Sequence, residues 1–365
     1  MRKNDGIPLR MKALVAYGPG DFRYEDAKVP EIDEDEALIK SLGCGICAGD
    51  VKSFHGAGMF WGDTINPAWQ IPPVNTGHEF FGEVVAVGDK AAEKWKISIG
   101  DWVIPEQVIP CWECRFCKTG LPYMCQVHDL YGFQSGISDG GMAEFVRINK
   151  RSVVHKVPKS FSIERGVMIE PASCAAHTIE RAEIKFDDVV VIAGMGPIGL
   201  CKLQFAKHKN PRLLIAIDSK PHRLTLAKKY GADIVINFAE ENSVEKVFSL
   251  TDGYGCDIYI ENSGHPSAVV SGLQMIRKSG TFVEFSVFAK ETTVDWSIIG
   301  DRKELSIKGS HISGLNGYKI AIDFMQKGLL KTDEITSHSY PLAQWKEAYE
   351  ISERGEGSVK VWLKP

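Results

Sequence analysis

At 365 residues the chain is long enough for about two domains, each with its own core. An apolar share of 44% and a charged share of 25% fit an ordinary globular enzyme, and a net charge of -4 argues against a nucleic-acid footprint or a basic membrane-binding face. No apolar run approaches the roughly 20 residues of a spanning helix, and the polar stretch 1–10 lacks the apolar core of a signal peptide, so a cytoplasmic protein is expected.

In residues 11–107, short apolar runs at 13–17, 37–42, 83–87 and 102–105 alternate with Gly, Pro and Asp. That texture predicts a small antiparallel barrel. Within it, Gly45-Ile46-Cys47-Ala48-Gly49-Asp50 offers a cysteine with small neighbours and an aspartate three residues on, and Gly77-His78-Glu79 sets a histidine beside a carboxylate. Singly, Cys47 reads equally well as a small core residue and His78 as a buried strand histidine. Together, Cys47, His78 and Glu79 form a mixed sulfur, nitrogen and oxygen set of the kind that holds a catalytic zinc, with Asp50 placed to hold the His78 ring by its other nitrogen. Phe60, Trp61 and Trp69 lie between the two motifs, either walling a substrate cleft or packing in the core.

Nine cysteines is an odd number, and four of them crowd into residues 111–125, which in a reducing compartment reads as metal binding. Cys111, Cys114, Cys117 and Cys125 can close a tetrahedral shell and leave no position open for chemistry, so a structural zinc is expected. An iron–sulfur cluster also takes four cysteines, but the ferredoxin spacing differs.

Residues 161–179 predict a helix opening at Ser162 and Glu164 and carrying Glu170-Pro171, Cys174 and His177. Glu170 is either a charge favoured at a helix N-terminus or a further ligand of the same zinc, and His177 reads as a packed helix residue. The texture then changes. The stretch 188–193, apolar without a break after Asp188, suits a strand buried on both faces, and Gly194-Met195-Gly196-Pro197-Ile198-Gly199 follows, opening a helix. A second strand, 213–217, ends in Asp218. The glycines let a pyrophosphate approach the helix N-terminus, and the Asp218 carboxylate suits ribose hydroxyls and repels a ribose phosphate, so NAD is expected over NADP, with Ser219 and Lys220 beside it as a reservation. Helices at 221–230, 243–250 and 266–278 and strands at 234–237, 257–261, 281–285 and 304–309 complete a doubly wound α/β sheet of six parallel strands. A run at 359–363 returns to short strands.

In this order, the motifs resemble the zinc-dependent medium-chain dehydrogenases over nearly the whole chain, with Gly77-His78-Glu79-Phe80-Phe81-Gly82, Gly88 and Ala91 matching the zinc signature. Glu170-Pro171 is similar to the sorbitol dehydrogenase branch, where glutamate replaces a cysteine ligand. Phe60-Trp61-Gly62-Asp63, Pro67-Ala68-Trp69, Pro110-Cys111-Trp112-Glu113-Cys114, His128-Asp129-Leu130-Tyr131-Gly132-Phe133 and Val294-Asp295-Trp296-Ser297-Ile298-Ile299 resemble bacterial dehydrogenases of four-carbon polyols.

The resemblance implies a GroES-like catalytic domain over 1–165 with its zinc lobe at 111–125, a Rossmann domain over 166–328 and a return of 329–365 to the first domain. It also implies two zinc ions per chain, NAD contacts at Gly194, Gly196, Pro197, Ile198, Gly199, Asp218, Arg223, Ser286 and Val287, and a homo-oligomer, dimer or tetramer. Segments 285–288 and 310–312 are expected along the nicotinamide half of the cleft. The expected reaction is NAD-linked oxidation of a secondary hydroxyl of a short sugar alcohol of erythritol or threitol type. Sorbitol, xylitol, threonine or a simple secondary alcohol remain alternatives, and a non-catalytic NAD-binding scaffold is a remote one. Two positions depart from the family: Gly49 and Lys52 stand where a hydroxyl and a histidine often begin a proton relay, and His55 is a candidate substitute.

Overall fold

The computed structural model describes residues 6–64, 67–137, 139–288 and 290–365; the first half of the polar stretch 1–10 lies outside them. The chain divides into two units, one of residues 1–170 and 336–365 and one of residues 171–335. The divisions fall a few residues beyond 165 and 328, because residues 166–170 and 329–335 pack with the part of the chain that precedes them.

In the first unit, Asp21–Lys28, Arg10–Gly18 and Val74–Asn75 form a three-stranded antiparallel sheet. A seven-stranded sheet runs in the order Val154–Lys156, Trp102–Pro105, Glu79–Val87, Ala37–Gly45, Lys360–Lys364 and Thr336–Pro341, with Phe145–Ile148 paired to Ala37–Gly45. The barrel expectation needs one correction: Thr336–Pro341 and Lys360–Lys364 pair in parallel, because helix Trp345–Arg354 carries the chain back between them. The strand expected from residue 83 begins at Glu79, since Phe80 and Phe81 are both buried and the period-2 alternation starts only beyond them. Leu14, Ile39, Phe80, Val84, Val103 and Val146 are among the residues that fill the core.

The second unit is a six-stranded, wholly parallel sheet in the order Ile234–Asn237, Leu213–Asp218, Val189–Ala193, Cys256–Glu261, Ile276–Glu284 and Ser306–Gly309. Strand order reverses between Val189–Ala193 and Cys256–Glu261, which opens a crevice at the carboxyl ends of those strands. Every residue of Val189–Ala193 is buried, as the unbroken apolar run demands.

Three boundaries differ from expectation. The helix expected over 266–278 stops at Met275, where fully buried Ile276 joins the sheet opposite Cys256. The strand expected from 304 starts at Ser306, since Glu304 sits at φ 51. The single helix over 161–179 is two, Ile163–Gly166 and Ile169–Ala182, the first capped by Ser162 Oγ, which accepts the Arg165 N–H at 3.2 Å. Among the described residues, no helix is long and apolar enough to cross a membrane.

Candidate functional site

Gly77 turns the chain into strand Glu79–Val87 at φ 90, and a Cβ there would come within 2.6 Å of Cys44 Sγ and Met142 Cγ. Only glycine fits, and the turn aims His78 inward. Cys47 is the N-cap of helix Ala48–Phe54. The two segments bring ligand atoms of Cys47, His78 and Glu79 within 4.8 Å of one another, with His78 and Glu79 buried. Asp50, also buried, joins them: one oxygen accepts the Cys47 backbone N–H at 2.8 Å, and the other lies 3.5 Å from His78 Nδ1.

Burial alone would depress the His78 pKa, but the charges of Asp50 and Cys47 outweigh it and hold it well above the usual value. A buried group this rich in anionic donors around one imidazole fits a divalent cation. Glu170 is buried in the first turn of Ile169–Ala182, and its charge acts on Lys360, but it is not a member of the three-ligand group. His55 caps the far end of the helix that Cys47 begins; it is about half exposed and sits 3.2 Å from Glu353. It is not brought to the group. His177 is packed in its helix, its pKa lowered to about 4 by burial and by Arg181.

Lys360 was not legible as a site residue. It opens strand Lys360–Lys364 ahead of buried Val361, Trp362 and Leu363, and is itself buried, forming an ion pair with Glu79 and donating to the Ile46 carbonyl at 2.9 Å. A lysine preceded by Val359 and followed by Val361, Trp362 and Leu363 is the signal that could have found it. An aromatic cluster also borders the histidine: the Phe133 ring is 5.6 Å from His78, 5.6 Å from Phe60 and 4.7 Å from Trp69.

The four lobe cysteines bring their sulfurs within 4.8 Å of one another, with Cys114 and Cys117 3.6 Å apart. A tetrahedron with Zn–S of about 2.3 Å has an edge of about 3.8 Å. Backbone N–H groups of Cys125's neighbours in the lobe complete the picture: Cys111 N–H donates to Cys125 Sγ at 3.2 Å and Cys114 N–H to Cys111 Sγ at 3.3 Å. Backbone donors from Cys117 and Gln126 pull the Cys114 pKa to about 6, while burial pushes Cys117 to about 12. Four sulfurs this close match the corners of one tetrahedral shell, and the lobe fits a cation that would hold them as thiolates.

In the second unit, Gly194 stands at φ 94 after the first strand, and Gly196 caps helix Pro197–His208. A Cβ at Gly199 would fall 1.9 Å from the Gly194 carbonyl oxygen, so the helix can approach the strand only with glycine there. Asp218 ends the neighbouring strand; one carboxylate oxygen accepts Met195 N–H at 2.7 Å, and the other accepts Ser219 and Lys220 N–H at 2.7 and 2.9 Å. A cleft of about 600 Å³ opens over Gly194, Gly196, Asp218, Arg223, Phe238 and His265. Backbone donors at a helix N-terminus beside a fixed carboxylate fit a dinucleotide. Pro197, Ile198 and Gly199 form the first turn of helix Pro197–His208, and Ser286 and Val287 follow strand Ile276–Glu284; none of the five is among the residues lining that cleft.

A metal-ligand group and a four-thiolate lobe on one unit, with a dinucleotide cradle on the other, define a metal-dependent, nucleotide-linked dehydrogenase. Residues 33–159 match the alcohol dehydrogenase GroES-like domain and residues 197–327 the zinc-binding dehydrogenase model. The chain belongs to the zinc-binding dehydrogenase family. It is 46% identical to the erythritol/L-threitol dehydrogenase of Mycolicibacterium smegmatis, over 98% of this chain and 99% of that one. Among solved structures, a protein from Sinorhizobium meliloti 1021 bound to NADP superposes with TM-score 0.87 at 26% identity, covering 98% and 99% of the two chains. An alcohol dehydrogenase from Escherichia coli CFT073 complexed with NADH superposes with TM-score 0.84 at 26% identity, covering 98% and 100%.

Proposed function

We propose that the protein is a cytoplasmic, zinc-dependent, NAD-linked polyol dehydrogenase that oxidises a secondary hydroxyl of a tetritol, erythritol or threitol, to the ketose. The observation that carries this reading is the convergence of Cys47, His78 and Glu79 over Asp50, in a chain nearly half identical to an erythritol/L-threitol dehydrogenase. Cys47 and His78 would hold the catalytic zinc, with Glu79, Glu170 or water completing the shell; Cys111, Cys114, Cys117 and Cys125 would hold a structural one. When bound, zinc and NAD supply the Lewis acidity and the hydride acceptance that alcohol oxidation needs.

The chain's residues supply the rest. Asp50 orients the His78 ring and disfavours its reorientation. Buried Lys360 holds Glu79 and the Ile46 carbonyl, and so the segments on which His78 and Cys47 stand. Carboxylates close to the site suit a vicinal diol, which presents two oxygens where a simple alcohol presents one. Phe60, Trp69 and Phe133 give an apolar wall that excludes water beside His78. Asp218, fixed by three backbone N–H groups, suits the paired ribose hydroxyls of NAD and opposes the added phosphate of NADP. His55, with Glu353, offers a surface proton acceptor. Following the family's habit, the working form is a dimer or tetramer.

The test is erythritol-dependent reduction of NAD and of NADP by zinc-replete protein and by protein stripped with a chelator. The reading requires a rate with NAD that stripping abolishes and zinc restores. A rate that survives stripping, or that appears only with NADP, contradicts it.

A further inference from the structure

Lys202 is fully buried in helix Pro197–His208, and nothing in the chemistry above uses it. An apolar residue would fill this position with no desolvation cost, whereas a buried amine needs partners. Lys202 Nζ donates to Asn262 Oδ1 at 2.7 Å and lies 3.7 Å from the centroid of the Phe285 ring. Burial depresses its pKa well below the usual range against the nearby charges of Cys174, Glu261 and Glu284, yet charged or neutral the amine keeps an N–H for Asn262.

Asn262 follows the last residue of strand Cys256–Glu261, at the point where strand order reverses. Its backbone N–H donates to the Ala193 carbonyl at 3.0 Å, and its Nδ2 donates to the Gly194 carbonyl at 3.1 Å. That carbonyl is the one Gly199 packs against, so it sits at the centre of the glycine turn. The Asn262 amide can satisfy this arrangement in one orientation only. Flipped, its NH2 would face the Lys202 donor and its oxygen would face the Gly194 acceptor, and both bonds would be lost.

We propose that Lys202 is a positioning residue of the dinucleotide cradle, fixing the Asn262 amide that in turn pins the Gly194 carbonyl and so the shape of the glycine turn. The proposal rests on the reading that this unit binds NAD. Lys202 acts through Asn262 and the turn, before any contact with the reacting carbons, so its loss weakens cofactor binding and spares turnover at saturating NAD.

The experiment is NADH titration by fluorescence, with kcat and KM for NAD, on the full zinc-replete protein carrying Lys202→Met, Asn262→Leu or both. Each single variant frees the Gly194 carbonyl from its fixed donor and should raise the NADH Kd about tenfold, with kcat within about twofold of wild type. Because the two residues act as one unit, the double variant should lose about as much as either single one, far short of the roughly hundredfold product. Should Lys202→Met fail to fold, Lys202→Gln carries the test: it keeps a donor for Asn262 and should bind NADH within about threefold of wild type. Wild-type affinity in Lys202→Met, full additivity in the double variant, or a tenfold loss in Lys202→Gln overturns the positioning role alone. Wild-type protein that binds neither NADH nor NADPH overturns the cofactor reading, and the positioning role with it.

Discussion

Lys360 and Glu79 form an ion pair inside the first unit, with side chains 3% and 2% exposed. The lysine also reaches the Ile46 carbonyl, so one ammonium ties together the two segments that carry Cys47 and His78. Replacing Lys360 by Met leaves the Glu79 carboxylate buried without its partner, at a cost of about 3–5 kcal/mol. The urea transition of the first unit should move to lower concentration accordingly, and Lys360→Met combined with Glu79→Leu should recover most of the loss. A single variant as stable as wild type would show that the pair holds nothing.

Asp50 bridges the Cys47 backbone and the His78 ring. Asp50→Ala removes both contacts while leaving every metal ligand in place. Zinc affinity, measured by competition with a chromophoric chelator, should fall by about 10–100-fold, as it does when a group orienting a metal-bound histidine is lost. Unchanged affinity would reduce Asp50 to a helix-capping role.

Cys114→Ser removes one corner of the thiolate lobe. Elemental analysis should show zinc falling from two ions per chain to one, with the remaining ion at the Cys47 group. A wild-type content of one ion per chain would instead favour the non-catalytic scaffold.

Glu170 lies outside the three-ligand group, yet its charge is felt by Lys360. If it takes part in completing the zinc shell, Glu170→Ala should lower kcat far more than NAD affinity. Equal losses in both, or none, remove it from the reaction and leave it as a charge at a helix start.

Features set by local chemistry were readable in the sequence. The cysteine spacing of the lobe and the glycines before helix Pro197–His208 occupy short stretches whose backbone needs are fixed by their own residues. The central strands of the parallel sheet, Val189–Ala193 and Leu213–Asp218, were readable for the same reason, since strands buried on both faces show as apolar runs. What escaped was decided by partners distant in the chain. The helical periodicity over 266–278 continues past Met275, but Ile276 gains more from pairing beside Cys256 than from another helical turn. The helix expected over 161–179 breaks after Gly166, which presses against the Phe81 ring. Lys360 and Lys202 look like ordinary lysines in apolar segments until Glu79 and Asn262 meet them. Glu170 could be assigned to a helix start from its sequence, but its distance from Cys47 and His78 depends on how the strands close around it.

The tetritol assignment is decided by the initial rate of NAD reduction by zinc-replete protein on erythritol, both threitols, sorbitol, xylitol, threonine and 2-butanol. The highest kcat/KM is expected on one of the tetritols. A preference for threonine, 2-butanol or a longer polyol would leave the fold and the family standing and contradict the assigned substrate.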